Sequence, residues 1–482
     1  MTTDRSETGL RQRAWQHLTR VVAAHLVMLQ EVGLIDERTQ ATLFAALDGV
    51  RGGTPPDGSL AELAAAFDDR LDALTPAGVA GTARVGRGIA DTIATVLRLD
   101  LRDRLLGVMT DLDRLRETTI ALAEAHVVTL MPAFAGGQAA QPTTLGHYLG
   151  GLIAPLARAA ARLRATFADV DQSPLGAGAL ASTGMTIDRE QVAELLGFAG
   201  PVPNTFDAVA ATDYLSASAE AAAHAVAASC RFVDDLLQWL RSEPSTLRLA
   251  ERWTVTSPDL PQLRAPAGLQ ALLARGRRVE QRVATLRATA AAVGYGPTAG
   301  WTDVLADETS AVLEDASGFI RELDELLGSG MEINRASLAN RAGRAHTTSS
   351  DLADFLMIEE QLDPGAARSI AALTITRIMD QGVEVSAITP EIIDAAALVV
   401  LGRELKVEFE AISRYLAPRR FIERRGATGA PSPASTRDWL AGERDRLAAD
   451  IRWREETAAR LAEAAARLEA AEREALDRLV SG

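Results

Sequence analysis

The chain has 482 residues, and its 50 Lys plus Arg against 65 Asp plus Glu give a formal net charge of −15. With 47 % hydrophobic and 24 % charged residues, it is too apolar for an intrinsically disordered protein. The acidic balance and the lack of a long basic run argue against a nucleic-acid-binding surface. A prior of one domain per ~150 residues predicts roughly three domains.

Lysine and cysteine each occur once, as Lys406 and Cys230. Any mechanism that needs a lysine must therefore use Lys406. A single cysteine forms no intramolecular disulfide and no zinc site by itself, so we expect a reducing cytoplasm. Residues 1–30 are too charged for a signal peptide, and apolar stretches such as residues 395–401 are far shorter than the ~20 residues that cross a bilayer. We expect a soluble cytoplasmic protein.

Helical periodicity dominates the chain, and alternating β-branched patterns are scarce. A first, smaller helical region contains a loop at residues 52–59. A long helix follows, with one apolar face formed by Leu97, Leu101, Leu105, Met109, Leu112 and Leu115. Further helices are predicted at about residues 145–168, 207–241, 269–293 and 301–327. Gly- and Ala-rich connections are predicted at residues 132–142 and 173–186, a loop with several prolines at 253–266 and a linker at 426–435. Long helices of this kind predict an all-α bundle that suits pairing with other subunits.

The loops and their flanks carry a specific resemblance to a known family. The segments are residues 131–142, Ser173-Pro-Leu-Gly-Ala-Gly-Ala-Leu-Ala-Ser-Thr183, Ile187-Asp-Arg-Glu190, Leu196-Gly-Phe198 and Asn204-Thr-Phe-Asp-Ala-Val209. Together they resemble argininosuccinate lyase, which belongs to the fumarase/aspartase superfamily. Further matches at residues 24–35, 331–335, 351–356 and 429–433 extend the resemblance over about residues 15–440.

The resemblance implies an all-α, three-domain subunit of the fumarase/aspartase type with a central bundle of long helices. We expect an N-terminal helical domain at residues 1–91, the bundle at 92–336, a C-terminal helical domain at 337–433 and an extra C-terminal helix at 434–482. The family assembles as a homotetramer, and each active site uses loops from three subunits. Its reaction removes a proton next to a carboxylate and then breaks a C–N or C–O bond. We expect no cofactor and no metal.

Several residues that the family uses for catalysis are absent at the matching positions. Residues 88–90 are Gly-Ile-Ala where the family has the Ser-Arg-Asn that holds a substrate carboxylate. The family's Thr-His pair is replaced by Ala135 and Gly136, and the lysine and asparagine of its mobile catalytic loop by Leu263 and Ala265. Since one lost oxyanion donor costs ~3–4 kcal/mol of transition-state stabilisation, we expect almost no cleavage of argininosuccinate.

Some residues at matching positions are still candidates for the site. Ser257 matches the proposed catalytic base, although a hydroxyl is a weak base unless its neighbours lower its pKa. The candidate substrate-binding residues are Arg87, Asp91, Gln138, Asn204 and Arg264. Arg87 and Arg264 are the best placed to hold an anion, and either could equally be a surface charge.

Other polar residues have simpler structural interpretations. His25, His126 and His147 fall at or beside positions that resemble the family's non-catalytic helices, so we interpret them as structural. Asp303, followed by Asp307 and Glu308, lies near where the family has an active-site loop. We interpret these acids as helix N-terminal residues that stabilise the dipole.

Two functions fit the sequence. The first is a diverged lyase-type enzyme of specialised metabolism that acts on another small, anionic substrate. The second is a non-catalytic protein that keeps the tetrameric scaffold for binding or structure. The number of lost polar residues supports the second, and the retained Gly-rich loops and Ser257 support the first. We favour the enzyme slightly, and an open pocket with converging polar groups would distinguish it from a pocket filled by apolar side chains.

The residues after 434 extend past the family's usual end and predict one long, charged helix. Its apolar residues form a thin stripe, which favours packing along its own tetramer over a free coiled coil. A frayed surface appendage is an equally good interpretation of the pattern.

Overall fold

The structure is a computed structural model that describes residues 3–296 and 299–481. Its first region contains α1 (Thr3–Glu31), α2 (Glu37–Arg51) and α3 (Leu60–Ala73). Asp36 caps α2 by accepting the N–H of Thr39, and Ser59 forms a capping box with Glu62 at the start of α3. The apolar faces of these helices, among them Trp15, meet in one buried cluster. The loop predicted at residues 52–59 separates α2 from α3.

The long predicted helix is present as α4 (Ile89–Ala125), and its six apolar stripe residues are all buried. The elements that follow are β1 (Leu130–Ala135), β2 (Gln138–Thr144), α5 (Leu145–Val170), α6 (Arg189–Leu195), α7 (Thr205–Ala210) and α8 (Asp213–Ser242). α4 and α8 both pack against α5, so these long helices share one core.

Two segments differ from the sequence-based expectation. Residues 132–142 are not an irregular connection but most of an antiparallel β-hairpin, β1–β2. Gly136 and Gly137 form its turn at φ +57° and +77°, the left-handed region that a tight hairpin turn requires. The single helix predicted at 207–241 is two helices, because Ala211 is extended and ends α7. Apolar spacing continues across this break, so periodicity alone could not detect it.

The bundle is completed by β3 (Leu247–Leu249), β4 (Val255–Thr256), β5 (Arg264–Ala265), α9 (Ala267–Ala292), α10 (Ala299–Glu325) and β6 (Met331–Ile333). β3 pairs with β6, and β4 with β5, both antiparallel. α9 and α10 pack on α8 and on each other, and α10 also packs on α4. The protein is therefore all-α in class, and the strands of its described residues form short two-stranded pairs beside the helices.

The last region contains α11 (Arg335–Ala342), α12 (Ser349–Ile358), α13 (Pro364–Asp380), α14 (Pro390–Leu401), α15 (Phe409–Tyr415), α16 (Pro418–Glu423) and α17 (Pro433–Ser481). Helices α12 to α15 have a hydrophobic cluster of their own, which includes Phe355, Ile370 and Ile393. No helix in the described part of the chain is long and apolar enough to cross a membrane.

The final helix, α17, packs along its own chain on α4, α2 and α5, so it is not a frayed appendage. Leu440, Leu447 and Leu468 on its apolar stripe are buried. Charged groups pair along the same interface, with Arg454 Nε 2.9 Å from Asp113 Oδ2 and Arg460 Nη2 2.6 Å from Asp171 Oδ2. The stripe therefore buries the helix, while the pairs fix its register on the bundle.

Candidate functional site

The glycine-rich loop (residues 173–186) is bound to the start of α4 by one carboxylate. Asp91 is 0 % exposed, and its Oδ2 accepts the backbone N–H groups of Gly176 at 2.9 Å and Gly178 at 2.8 Å. Its Oδ1 accepts the N–H of Gly88 at 2.9 Å. Burial raises the pKa of Asp91 to about 6, against the opposing effect of these N–H donors and of Arg87. The predicted substrate ligand Asp91 is therefore directed at its own chain.

Arg87 has an internal partner as well. Its side chain is 3 % exposed, and Nη2 lies 2.5 Å from Oδ1 of Asp68, which is 9 % exposed. Asp68 belongs to α3, so this buried ion pair joins α3 to the segment before α4. The guanidinium that the sequence offered as an anion ligand faces a carboxylate of the same chain.

The serine loop (residues 254–266) has the opposite character. The short β4–β5 pair closes this loop at its base. At its tip, the Leu263 N–H donates one backbone hydrogen bond to the Leu260 carbonyl. Leu260 and Leu263 are each 48 % exposed. Ser257 is partly exposed and makes no hydrogen bond with any described residue. Among the residues that the structure describes, no hydrogen-bond donor is therefore placed to lower the pKa of its hydroxyl.

A large cavity, which we name the arginine cavity, lies at the base of the serine loop. It has a volume of ≈ 940 Å³ and is enclosed by the end of α8, the β3–β6 pair and residues 262–266. Arg241, Arg264 and Arg335 line it, and none of them forms an ion pair or hydrogen bond within the described residues. Arg248 also lines it and pairs with Glu332 at 3.7 Å. Unpaired guanidinium groups around one cavity favour an anion with more than one oxygen.

A second cavity, which we name the apolar cavity, lies where α4 and α8 begin. It has a volume of ≈ 390 Å³, and Ile89, Ala90 and Ile93 form one wall. Asp303 is the single charged residue among the described lining residues, and its Oδ1 accepts the N–H of Leu60 at 3.0 Å. Burial raises the pKa of Asp303. α10 begins at Ala299 with no acid in its first turn, so the dipole interpretation of Asp303 was wrong.

The remaining predicted residues lie elsewhere. Gln138 is exposed beside the hairpin turn, and Asn204 caps α7 by accepting the N–H groups of Phe206 and Asp207. No hydrogen bond joins Ser257 or Arg264 to Arg87 or Asp91. Sequence reasoning missed Arg241 and Arg335 as site residues. Arg335 lies in a segment that matched the family, whereas no local pattern marks Arg241.

The histidines have partners of their own chain, as the structural interpretation predicts. His25 Nε2 lies 2.8 Å from the Val85 carbonyl, and burial lowers the pKa of His25 to about 3. His126 Nδ1 bonds the Thr129 hydroxyl at 3.0 Å. His147 bonds the Thr143 hydroxyl at 2.8 Å and the Gly429 carbonyl at 3.1 Å. The contacts of all three join neighbouring segments.

Comparisons with known proteins identify relatives of this chain and solved structures with the same fold. A family model described as Lyase matches residues 61–279. Argininosuccinate lyase from Methanoculleus marisnigri is 31 % identical over 449 residues, which are 90 % of this chain and 88 % of the relative. The Methanosarcina mazei enzyme is 31 % identical over 432 residues, covering 88 % and 86 %.

Among solved structures, EDDS lyase in complex with formate superposes with a TM-score of 0.85 at 25 % identity, covering 97 % of this chain and 93 % of that one. An EDDS lyase variant with bound fumarate gives the same values. Class II fumarase from Schistosoma mansoni shares the fold at 14 % identity, with a TM-score of 0.68, 87 % of this chain and 94 % of that chain. Because EDDS lyase covers 97 % of this chain, most of α17 has a counterpart there, and the helix is not an addition peculiar to this chain.

Proposed function

Because this chain belongs to the argininosuccinate lyase family of the fumarase/aspartase superfamily, we propose that it is a lyase-type enzyme with a substrate other than argininosuccinate. The reaction would remove a proton next to a carboxylate and expel an amine or oxygen group from the adjacent carbon. The single observation that carries this proposal is the arginine cavity, an open space with unpaired cations beside the loop that holds Ser257.

The three arginines supply the anion-binding half of the proposed site. Arg241, Arg264 and Arg335 are exposed and come from α8, β5 and α11, so three different elements bring them to one cavity. A planar guanidinium binds a carboxylate through two parallel N–H···O bonds, and several of them also stabilise the extra charge that develops on that carboxylate during elimination. A dicarboxylate such as fumarate, which is bound in EDDS lyase, fits this chemistry.

The change of substrate is proposed from the apolar cavity. Ile89 and Ala90 stand where the resemblance implies an arginine and an asparagine, and no basic residue is among the described lining residues. Argininosuccinate carries charged groups along its whole length, and a cavity of this lining would leave those charges unpaired. The substrate group that lies here is therefore proposed to be uncharged and largely apolar.

We assign roles to the predicted site residues on the same basis. Ser257 is the proposed catalytic residue and Arg264 a substrate ligand. Arg87 and Asp91 are proposed as positioning residues, because their charges bind the chain itself. Gln138 and Asn204 stay predictions as substrate ligands, since the hairpin turn and the α7 cap are exposed and reach none of the described cavities.

Assembly and location are part of the same proposal. A homotetramer built on the long helices of residues 92–336 would bring the loops of different subunits together. This assembly goes with the proposed division of the chain into residues 1–91, 92–336, 337–433 and 434–482. The separate hydrophobic cluster of α12 to α15 supports that division. A cytoplasmic location stays a prediction from the sequence.

One observation favours the alternative of a non-catalytic scaffold. Ser257 has no hydrogen-bond partner within the described residues, so none of these residues is placed to activate its hydroxyl. An active enzyme then needs the activating group from another subunit or from the substrate. A scaffold needs none, and would still bind a dicarboxylate in the arginine cavity.

The test measures fumarate release from a panel of N-substituted aspartates with apolar amine groups. The absorbance of fumarate is the readout, and argininosuccinate is the comparison substrate. We expect release from members of the panel, little from argininosuccinate, and a loss of at least ~100-fold in Ser257→Ala. Fumarate binding by calorimetry should weaken in Arg264→Ala and not in Arg278→Ala, whose guanidinium pairs with Asp315. Binding without turnover of any compound would support the scaffold, and efficient argininosuccinate cleavage would contradict the altered substrate.

A further inference from the structure

A third cavity is separate from the two described above. It lies between the β1–β2 hairpin and α5 on one side and α16 and α17 on the other. Its volume is ≈ 500 Å³, and it is formed by β2, the first turns of α5, the end of α16 and the start of α17. It shares no lining residue with the arginine cavity or the apolar cavity. We name it the α5–α17 cavity.

Three aromatic side chains form its walls, namely Tyr148, Phe421 and Trp439. The ring of Tyr148 packs 5.1 Å from that of Trp239, and its hydroxyl donates to Asp235 Oδ2 at 2.6 Å. This hydrogen bond, together with the ring contact, fixes the wall in place. Rigid aromatic faces of this kind favour stacking with another flat ring.

Most polar side chains around the cavity are already bonded to the protein, and Thr436 Oγ1 is buried without a hydrogen-bond partner among the described residues. Both ring nitrogens of His147 have partners, the Thr143 hydroxyl and the Gly429 carbonyl. Arg425 donates to the Phe421 carbonyl at 2.9 Å and pairs with Asp351 at 2.6 Å. Asp351 also pairs with Arg424, so two guanidinium groups share this carboxylate, and an anionic ligand would compete with it for Arg425. A charged ligand would find no unpaired counter-ion here, whereas a neutral one loses nothing.

Two helical glycines keep the cavity open. Gly150 and Gly151 lie inside α5, where glycine is a poor helix former. A Cβ at Gly150 would come within 3.0 Å of the Trp439 ring, so this glycine makes room for the wall. A Cβ at Gly151 would meet no atom within 4 Å, so that position faces open space. Because Gly151 lines the cavity, a larger side chain at 151 would take up part of its volume.

We propose that the α5–α17 cavity is a binding site for a neutral, flat and largely apolar small molecule that stacks on Trp439. A volume of ≈ 500 Å³ lies within the range of small-molecule sites, roughly 300–1,000 Å³. The bound molecule bridges α5 and the start of α17, two elements that are far apart in sequence. The site is independent of the proposed lyase activity, because it uses none of the residues assigned to that activity.

The test uses N-phenyl-1-naphthylamine, a neutral aromatic fluorophore, titrated into the full-length protein. Saturable binding with one site per chain is expected, with quenching of tryptophan fluorescence. Gly151→Leu should weaken this binding at least tenfold. Gly107→Leu is the matched control, since Gly107 is also an exposed glycine inside a long helix with open space around it. It should change the affinity less than twofold.

Three results would overturn the proposal. The first is the absence of saturable binding. The second is binding that survives Gly151→Leu and is lost in Ala90→Leu, which places the probe in the apolar cavity. Light scattering that reports a change of oligomeric state in Gly151→Leu but not in Gly107→Leu would identify another copy of the chain as the occupant. Circular dichroism of each variant ensures that a lost signal reflects the cavity and not unfolding.

Discussion

The glycine-rich loop and the serine loop both match loops of the family, yet their polar groups are used in opposite ways. In the glycine-rich loop, Asp91 takes two backbone N–H groups, and Ser182 Oγ donates to the Gly176 carbonyl at 2.8 Å. Arg189 adds bonds to the carbonyls of Leu175 and Val202. In the serine loop, Ser257 and Arg264 have no partner among the described residues.

This difference distinguishes a loop that stabilises the fold from a loop that can bind a ligand. A loop whose polar groups are bonded to its own chain has few groups left for a ligand, so its resemblance to a family reports how the chain folds. A loop with unbonded polar side chains can offer them to a ligand. Substitutions in the two loops test this contrast through their effects on stability and on turnover.

The largest effect is expected from Asp91→Ala. It leaves the buried N–H groups of Gly176 and Gly178 and the partly buried N–H of Gly88 without an acceptor, so we expect a loss of ~3–5 kcal/mol in the free energy of unfolding. Urea denaturation measures it. The control is Asp188→Ala, which removes an exposed N-cap at α6 and should cost ~1 kcal/mol. Equal losses in the two variants would show that Asp91 does not hold the loop.

A smaller effect on the free energy of unfolding is expected from pH, through the buried His25 that bonds the Val85 carbonyl. Unfolded histidine titrates near pH 6.5, but folded His25 stays neutral until about pH 3, because burial lowers its pKa. Unfolding therefore takes up a proton between these values, and stability falls as the pH falls, by up to ~1.4 kcal/mol per pH unit.

The measurement compares the wild type with His25→Gln, whose amide can still donate to the Val85 carbonyl. Between pH 7 and pH 5 the wild type should lose ~2 kcal/mol more than the variant. Taking the difference removes the contributions of His17, which has the same sign, and of Asp91, whose raised pKa acts in the opposite direction. Parallel pH profiles would contradict the burial of a neutral His25.

The sequence predicted the helices well, because long apolar stripes depend only on local spacing. The stripe from Leu97 to Leu115 is buried on α4 as expected. Helix ends were predicted poorly where a single residue changes the backbone conformation. At Ala211 the helix ends although the apolar pattern continues. The hairpin was missed although the paired glycines at 136 and 137 are a signal for its turn.

For the candidate site, the sequence could find which residues are charged but not what they face. Arg87 and Arg264 looked alike as anion ligands, and only the folded chain places Asp68 against the first and leaves the second without a partner. Arg241 lies at the end of α8 and Arg335 at the start of α11, far apart in sequence, and the pairing of β3 with β6 brings both to one cavity. Pairing of this kind is a tertiary property, which spacing does not encode.

The smallest effects, and the sharpest form of the contrast, come from one substitution made in both loops. Ser182→Ala removes the bond to the Gly176 carbonyl, so we expect a stability loss of ~1 kcal/mol. Ser257→Ala removes no bond within the chain, and its stability should stay within ~0.5 kcal/mol of the wild type. Turnover of an identified substrate should respond in reverse, falling steeply in Ser257→Ala and little in Ser182→Ala. If both variants lost stability equally, the serine loop would be held by contacts of its own, and its hydroxyl would not be free for chemistry.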